Sequence, residues 1–202
     1  MNLFRSTSCK RLLAVFSAIV LTGWLSCDRN KYSRVWIKTD LGDLLVEIYP
    51  DQAPFTATNF LSHVEKGTYT NSVFYRVVRM DNQPENQVKI EVIQGGLFDD
   101  KLIDTHVSIA HETTEETGIS HRDGVISMAR NEPGTASTEF FICIGDQPSL
   151  DYHGDRNPDG QGFAAFGKII LGMDVVRTIQ NLADDNQYLN EKVVIREISL
   201  QR

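Results

Sequence analysis

The sequence predicts a mainly β domain, a barrel or sandwich rather than a βαβ layout. Three observations predict it. Short alternating or continuous apolar segments recur from Val35 to Leu200, only two stretches carry a helical apolar period, and the connections are rich in glycine and polar residues. Residues 35–38 and 43–48 flank Asp40-Leu41-Gly42 and read as a β-hairpin. Pro50 and Pro54 bracket a turn. Ala57, Phe60, Leu61 and Val64 then fall at i, i+3, i+4 and i+7, a helix that Gly67 ends. Further strands are expected over 73–78, 91–93, 125–128, 140–144 and 163–170. Val175, Val176, Ile179 and Leu182 mark a second helix, and the alternation over 192–200 closes the chain as a strand. Three long polar connections remain, 79–89, 97–124 and 145–162, and loops of that length usually carry function.

The chain has 202 residues, 41% of them hydrophobic, enough for one domain with a core. Residues 1–27 hold Arg5, Lys10 and Arg11 and no acid; the remainder carries 17 basic and 27 acidic groups. Such a surface repels phosphate backbones, so nucleic acid is not an expected partner.

The N-terminus reads as an address. A basic start is followed by residues 12–25, apolar apart from Ser17 and Thr22, too short to span a bilayer comfortably. It ends Trp24-Leu25-Ser26-Cys27 and turns polar at once, which resembles a bacterial lipoprotein signal with Cys27 as the lipidated residue. The expected organisation is a signal over 1–27, a tether over 28–33 and a domain over 34–202. The expected location is the cell envelope, anchored to its membrane; an uncleaved anchor helix and a soluble secreted form are the alternatives. Cys143, within an apolar strand, reads as a buried inert thiol.

Several motifs are discarded on physical grounds. His111-Glu112-Thr113-Thr114-Glu115 lacks the second histidine of a zinc-protease helix. The segment 155–160 begins like a calcium loop, but Phe166 stands at its twelfth position and Pro158 interrupts it. Gly160 and Gly162 do not follow a strand, so no dinucleotide site is implied. Glu112, Glu115 and Glu116 read as a solvated face. Neither a metal nor a cofactor is expected.

The chemistry concentrates at Val73-Phe74-Tyr75-Arg76-Val77-Val78. By strict alternation Val73, Tyr75 and Val77 share one face and Phe74, Arg76 and Val78 the other. An arginine so flanked is either desolvated and in need of partners, or an edge residue whose head reaches water. The pattern alone leaves both open.

Phe74-Tyr75-Arg76-Val77-Val78, Val92-Ile93-Gln94-Gly95-Gly96, Ser127-Met128-Ala129, Phe140-Phe141-Ile142 and Phe166-Gly167-Lys168 occur in this order. Together they resemble the cyclophilin family of peptidyl-prolyl isomerases, over roughly residues 35 to 200. The resemblance implies a closed eight-stranded antiparallel barrel capped by two helices, with the site on its outer face. It implies Arg76 and Gln94 as catalytic residues and Val92, Phe141 and Leu150 as the proline pocket. Ala129 and Arg130 would lie alongside the peptide, acting through backbone groups. Four positions depart from the family pattern: Glu91 for an aromatic pocket residue, Glu139 for a glutamine, Phe163 where histidine or tyrosine is common, and Ser149, before Leu150, for the tryptophan associated with cyclosporin binding. A carboxylate at 139 is expected beside Arg76, either pairing with it or competing for its donors. The link 80–89 is longer than usual and reads as a surface insertion. The implied partner is a proline-containing polypeptide, met by a monomer outside the cytosol. Two rivals remain: a proline-peptide-binding module that turns over poorly, and an unrelated barrel holding a ligand in a hollow interior.

Overall fold

The computed structural model describes residues 33–201. The expectations for residues 1–32, Cys27 among them, lie outside the described residues. In chain order the elements are β1 Ser33–Thr39, β2 Gly42–Ile48, α1 Pro54–Glu65, β3 Ser72–Val78, β4 Val92–Gly96, α2 Asp100–Ile103, α3 Thr114–Thr117, β5 Val125–Met128, β6 Phe140–Cys143, β7 Ala164–Leu171, α4 Met173–Gln180, β8 Asp184–Asp185 and β9 Tyr188–Leu200. A single 3₁₀ turn covers Pro148–Leu150. The strands run antiparallel in the order β1-β2-β7-β5-β6-β4-β3-β9, and pairing of β1 with β9 closes them into an eight-stranded barrel. The two-residue β8 is an extra strand on β9. The two longer helices fall where the apolar period placed them.

Alternation explains what fills the interior. Val35 and Ile37 of β1, Leu44, Val46 and Ile48 of β2, and Ile195 and Ile198 of β9 point inward and join one core. Phe60, Tyr69, Phe74, Phe140 and Phe166 complete it, each 1% exposed or less. Phe140 meets Phe60, Tyr69 and Phe74 edge-on at centroid separations of 5.7, 5.7 and 5.8 Å. The Tyr69 hydroxyl donates to the Thr138 carbonyl at 3.0 Å, which satisfies the one polar atom these rings bring inside. The interior is therefore packed with side chains, unlike a hollow ligand-holding barrel.

The ladders shift register at Lys38/Thr39, Leu45/Val46, Ile126/Ser127 and Phe74/Arg76, and the last of these makes the site. The β3–β4 register shifts between Phe74, opposite Gly95, and Arg76, opposite Gln94. This β-bulge turns Tyr75 and Arg76 outward together, while Phe74 and Val77 both enter the core. The expected face shared by Phe74, Arg76 and Val78 is thus corrected: Phe74 lies inside, Arg76 and Val78 outside.

The long connections are tightly tied. Helix α1 starts at Pro54, and its preceding residue Ala53 offers no side-chain cap. The cap comes from Glu112 instead, which accepts from the Phe55 and Thr56 backbone N–H groups and the Thr56 hydroxyl at 3.1, 2.7 and 2.6 Å. Glu112 is 6% exposed, so its reading as part of a solvated face is corrected. Its negative charge also complements the positive end of the helix dipole. Replacing Glu112 with alanine strands these donors and is expected to cost about 1–3 kcal/mol, measured by urea denaturation; a loss below half that lower bound would contradict the capping role. Its neighbour Glu116 closes a capping box with Thr113 at the start of α3.

Candidate active site

The outward side chains of β3, β4 and β6 and the loops beside them enclose a groove of about 720 Å³. Its floor is apolar. Val78, Ile90, Val92, Phe141, Cys143 and Leu150 form a second cluster, with Ala129 and Phe163 packed on it. Phe163 meets Phe141 edge-on at 5.2 Å, and the Arg130 guanidinium lies 5.1 Å from the centre of the Phe163 ring. Arg130 is itself held by paired bonds to Asp159 and by the Gly162 carbonyl. Burial raises the pKa of the Cys143 thiol well above its ordinary value, which suits an inert packing residue.

Arg76 stands over this floor, half-buried. Its Nη1 donates to Gln94 Oε1 at 3.0 Å, and its Nε and Nη2 donate to Gln187 Oε1 at 3.1 and 2.6 Å. Gln94 is opposite Arg76 in the β-ladder, so backbone pairing delivers that contact. Gln187 arrives from the two-residue turn between β8 and β9, where Asn186 and Gln187 have φ of 50° and 74°. The Gln187 backbone N–H donates to Asp184 Oδ2, and its side-chain amide donates to the Asn82 carbonyl. Asp184 in turn accepts from Arg79 and Asn82. Burial works to raise the Asp184 pKa, but these donors outweigh it and hold the carboxyl below its usual range. The segment 80–89 is thus no mere surface insertion. Asn82 braces the turn that holds Arg76, and Gln83, 0% exposed, bonds the Arg79 and Ile90 carbonyls.

Glu139 does not pair with Arg76, which corrects that expectation. Its Oε1 accepts from the Leu97 and Phe98 backbone N–H groups at 2.7 and 3.3 Å. It touches Arg76 only through intermediates: Gln94 Nε2 donates to the Tyr75 hydroxyl at 2.6 Å, and Tyr75 faces Glu139. Gly96 permits this fold-back, with a φ of +145° and no Cβ to meet the Glu139 carboxylate. Burial raises the Glu139 pKa, opposed by the Tyr75 hydroxyl and the two backbone donors. A folded-state pKa above the unfolded value means that stability is lost as pH rises through it. Glu139→Gln is therefore expected to raise the melting temperature at neutral pH, with the gain shrinking below the carboxylate range; a gain that persists at low pH would contradict this origin.

Glu91, unlike Glu139, does not line the groove, which corrects its expected place in the pocket. Side chains at 90, 92 and 94 face it, while 91 and 93 face away, and Glu91 instead receives a 3.4 Å bond from Gln180 at the end of α4. Ile90 takes the wall position. The other expected residues, Arg76, Gln94, Val92, Phe141, Leu150, Ala129, Arg130, Glu139 and Phe163, all line it. Ile90 was legible from the period of two; Gln187 and Arg156 come from distant loops and leave no local signal.

A Ser–His–Asp array lies behind the floor. His121 Nδ1 contacts Asp151 Oδ1 at 2.7 Å and Nε2 contacts Ser127 Oγ at 3.0 Å, with the ring stacked on Phe141 at 5.9 Å. Ser127 is 0% exposed and His121 1%, so no substrate carbonyl reaches the hydroxyl, and the array acts as a support for Phe141. Among the described residues no cluster of three or more His, Cys, Asp or Glu could hold a metal ion.

Comparison with known proteins agrees with this geometry. Residues 34–200 match the family model described as cyclophilin type peptidyl-prolyl cis-trans isomerase/CLD. A peptidyl-prolyl cis-trans isomerase of Acinetobacter baylyi is 32% identical over 178 residues, covering 87% of each chain. Peptidyl-prolyl cis-trans isomerase B of Escherichia coli is 27% identical, covering 83% of this chain and 96% of its own. In fold, a cyclophilin-type isomerase of Cryptosporidium parvum superposes with a TM-score of 0.67 at 24% identity, covering 85% of this chain and 98% of that one. A second structure of that protein, determined in the presence of the dipeptide Ala-Pro, gives 0.65. The barrel, the outer groove and the match along nearly all of the described residues converge: this chain belongs to the cyclophilin-type peptidyl-prolyl cis-trans isomerase family.

Proposed function

We propose that the groove isomerises X–Pro bonds in polypeptides, with Arg76 as the catalytic residue and Gln94 and Gln187 positioning it. The barrier to rotation is about 20 kcal/mol, because the amide C–N bond is partly double. Twisting the bond breaks conjugation and leaves a lone pair on the proline nitrogen. A donor aimed at that nitrogen binds the twisted state better than either planar state, which is selective transition-state stabilisation. Arginine suits the role because it stays charged and presents its donors in a fixed fork. A guanidinium has five N–H groups. Three are engaged by Gln94 and Gln187, leaving one on each terminal nitrogen for substrate. Val92, Phe141, Leu150 and Phe163 offer an apolar seat for the proline ring.

The observation that carries this reading is a groove-facing arginine fixed by neutral acceptors and paired with no carboxylate. A neutral, end-capped X–Pro peptide in a protease-coupled assay tests it. Acceleration by catalytic amounts of protein is expected; binding without acceleration would favour the rival module that grips proline segments and turns over poorly.

The reading extends to place. The sequence of residues 1–27 supports an exported, lipid-anchored protein that assists folding outside the cytosol, where proline isomerisation can limit the rate. Fatty-acid labelling that vanishes in Cys27→Ala is expected, and unlabelled wild type would contradict the anchor.

A further inference from the structure

The arginines divide into two sets. Arg34, Arg79, Arg122, Arg130, Arg177 and Arg196 each pair with a carboxylate. Among the described residues Arg76 and Arg156 pair with none, and both line the groove. Arg76 is accounted for by the isomerase reading; Arg156 is not.

Arg156 is built in, not loosely placed. Its Nη1 donates to Gln83 Oε1 at 3.1 Å and to the Val88 carbonyl at 2.5 Å, and its backbone N–H donates to the Ser149 carbonyl at 3.1 Å. Its Nε and Nη2 have no hydrogen-bond partner among the described residues. One edge of the guanidinium is therefore anchored and the other is free. Burial and the charge of Arg76 both lower its pKa, so lost hydration and a neighbouring positive charge both disfavour its cation. An anion entering the groove would offset both costs by pairing with the cation.

The groove also has a polarity. β4 runs from Val92 to Gly96, with Ile90, Leu150 and Arg156 lining the groove near its start. Glu139 folds against Gly96 at the other end, and Asp100 and Asp104 line the groove after it. A carboxylate on the substrate is repelled by the acidic end and drawn to the basic one.

We propose that Arg156 sets substrate specificity: its free guanidinium edge binds an Asp or Glu side chain within two residues of the proline. The proposal rests on the isomerase reading of the groove. It adds a recognition site to that reading and assigns no chemical step to Arg156.

The test uses X–Pro peptides capped at both ends, so that no terminal carboxylate is present. Glu, Gln or Lys is placed in turn at each position within two residues of the proline, and kcat/KM is measured at low salt. For the wild type, Glu is expected to exceed Gln about fivefold to tenfold at one position, with the preference falling as salt rises. Arg156→Gln should bring that ratio close to one, Arg156→Lys should keep part of it, and Arg156→Glu should invert it in favour of Lys. Each ratio compares two peptides on the same protein, so a general loss of folded enzyme leaves it unchanged. A Glu preference absent from the wild type, or intact in Arg156→Gln, overturns the proposal while neutral-peptide turnover leaves the isomerase reading standing. Failure of the wild type to turn over any peptide overturns both.

Discussion

Arg76→Ala is expected to lower kcat/KM for a neutral X–Pro peptide by about 10²–10³-fold, the loss found when one donor to a developing charge is removed. The barrel should be indifferent, because Arg76 points out of the core and its neighbours inward are Phe74 and Val77. Arg76→Lys keeps the charge but not the fork, and one ammonium cannot satisfy Gln94 and Gln187 while also reaching substrate. It should recover little of the loss. Gln187→Ala leaves the guanidinium in place but removes the acceptor of two of its bonds. About a tenfold fall in kcat with little change in KM is expected, since a misaimed donor weakens the twisted state more than it weakens binding. An Arg76→Ala enzyme within a factor of two of wild type would remove the mechanism.

Phe140→Ala is expected to have the largest effect on stability, about 3–5 kcal/mol. Phe140 is fully buried, and its ring meets three other aromatic rings edge-on at the centre of the barrel. Removing it leaves a hole ringed by stiff side chains that cannot collapse into it. Urea denaturation checks this, and a cost below about 1 kcal/mol would mean the ring cluster is not the centre of the core. The adjacent Phe141 points the other way, onto the groove floor. Phe141→Ala should therefore fall mainly on substrate binding. Two neighbouring phenylalanines on opposite faces of β6 thus separate stability from function.

The contrast explains what could be read from the sequence. The hairpin of β1 and β2, the two longer helices and the strand carrying Arg76 were legible because a local period reports which face is buried. The bulge in β3 was not, since an inserted residue leaves the apolar pattern Val73 to Val78 unchanged while switching faces. The short helices α2 and α3 hold four residues each, less than any period can reveal. The capping box at Thr113 and Glu116 carries the local signature Thr-x-x-Glu, which the reading of Glu116 as part of a solvated face passed over. Glu112 was misread because its partners, at the start of α1, lie 56 and 57 positions away. The same distance effect hid the supports of the site. Gln187 is 111 positions from Arg76 and Gln83 is 73 from Arg156, and only the closed barrel brings them together.

The most direct measurement is the interconversion rate of a bound X–Pro peptide, taken by NMR exchange spectroscopy at saturating protein. Saturation removes differences in affinity, so only the rotation step is compared. The account predicts fast exchange on the wild type and, on Arg76→Ala, a bound peptide whose exchange falls back toward the free rate. Equal bound-state rates for the two proteins would contradict it.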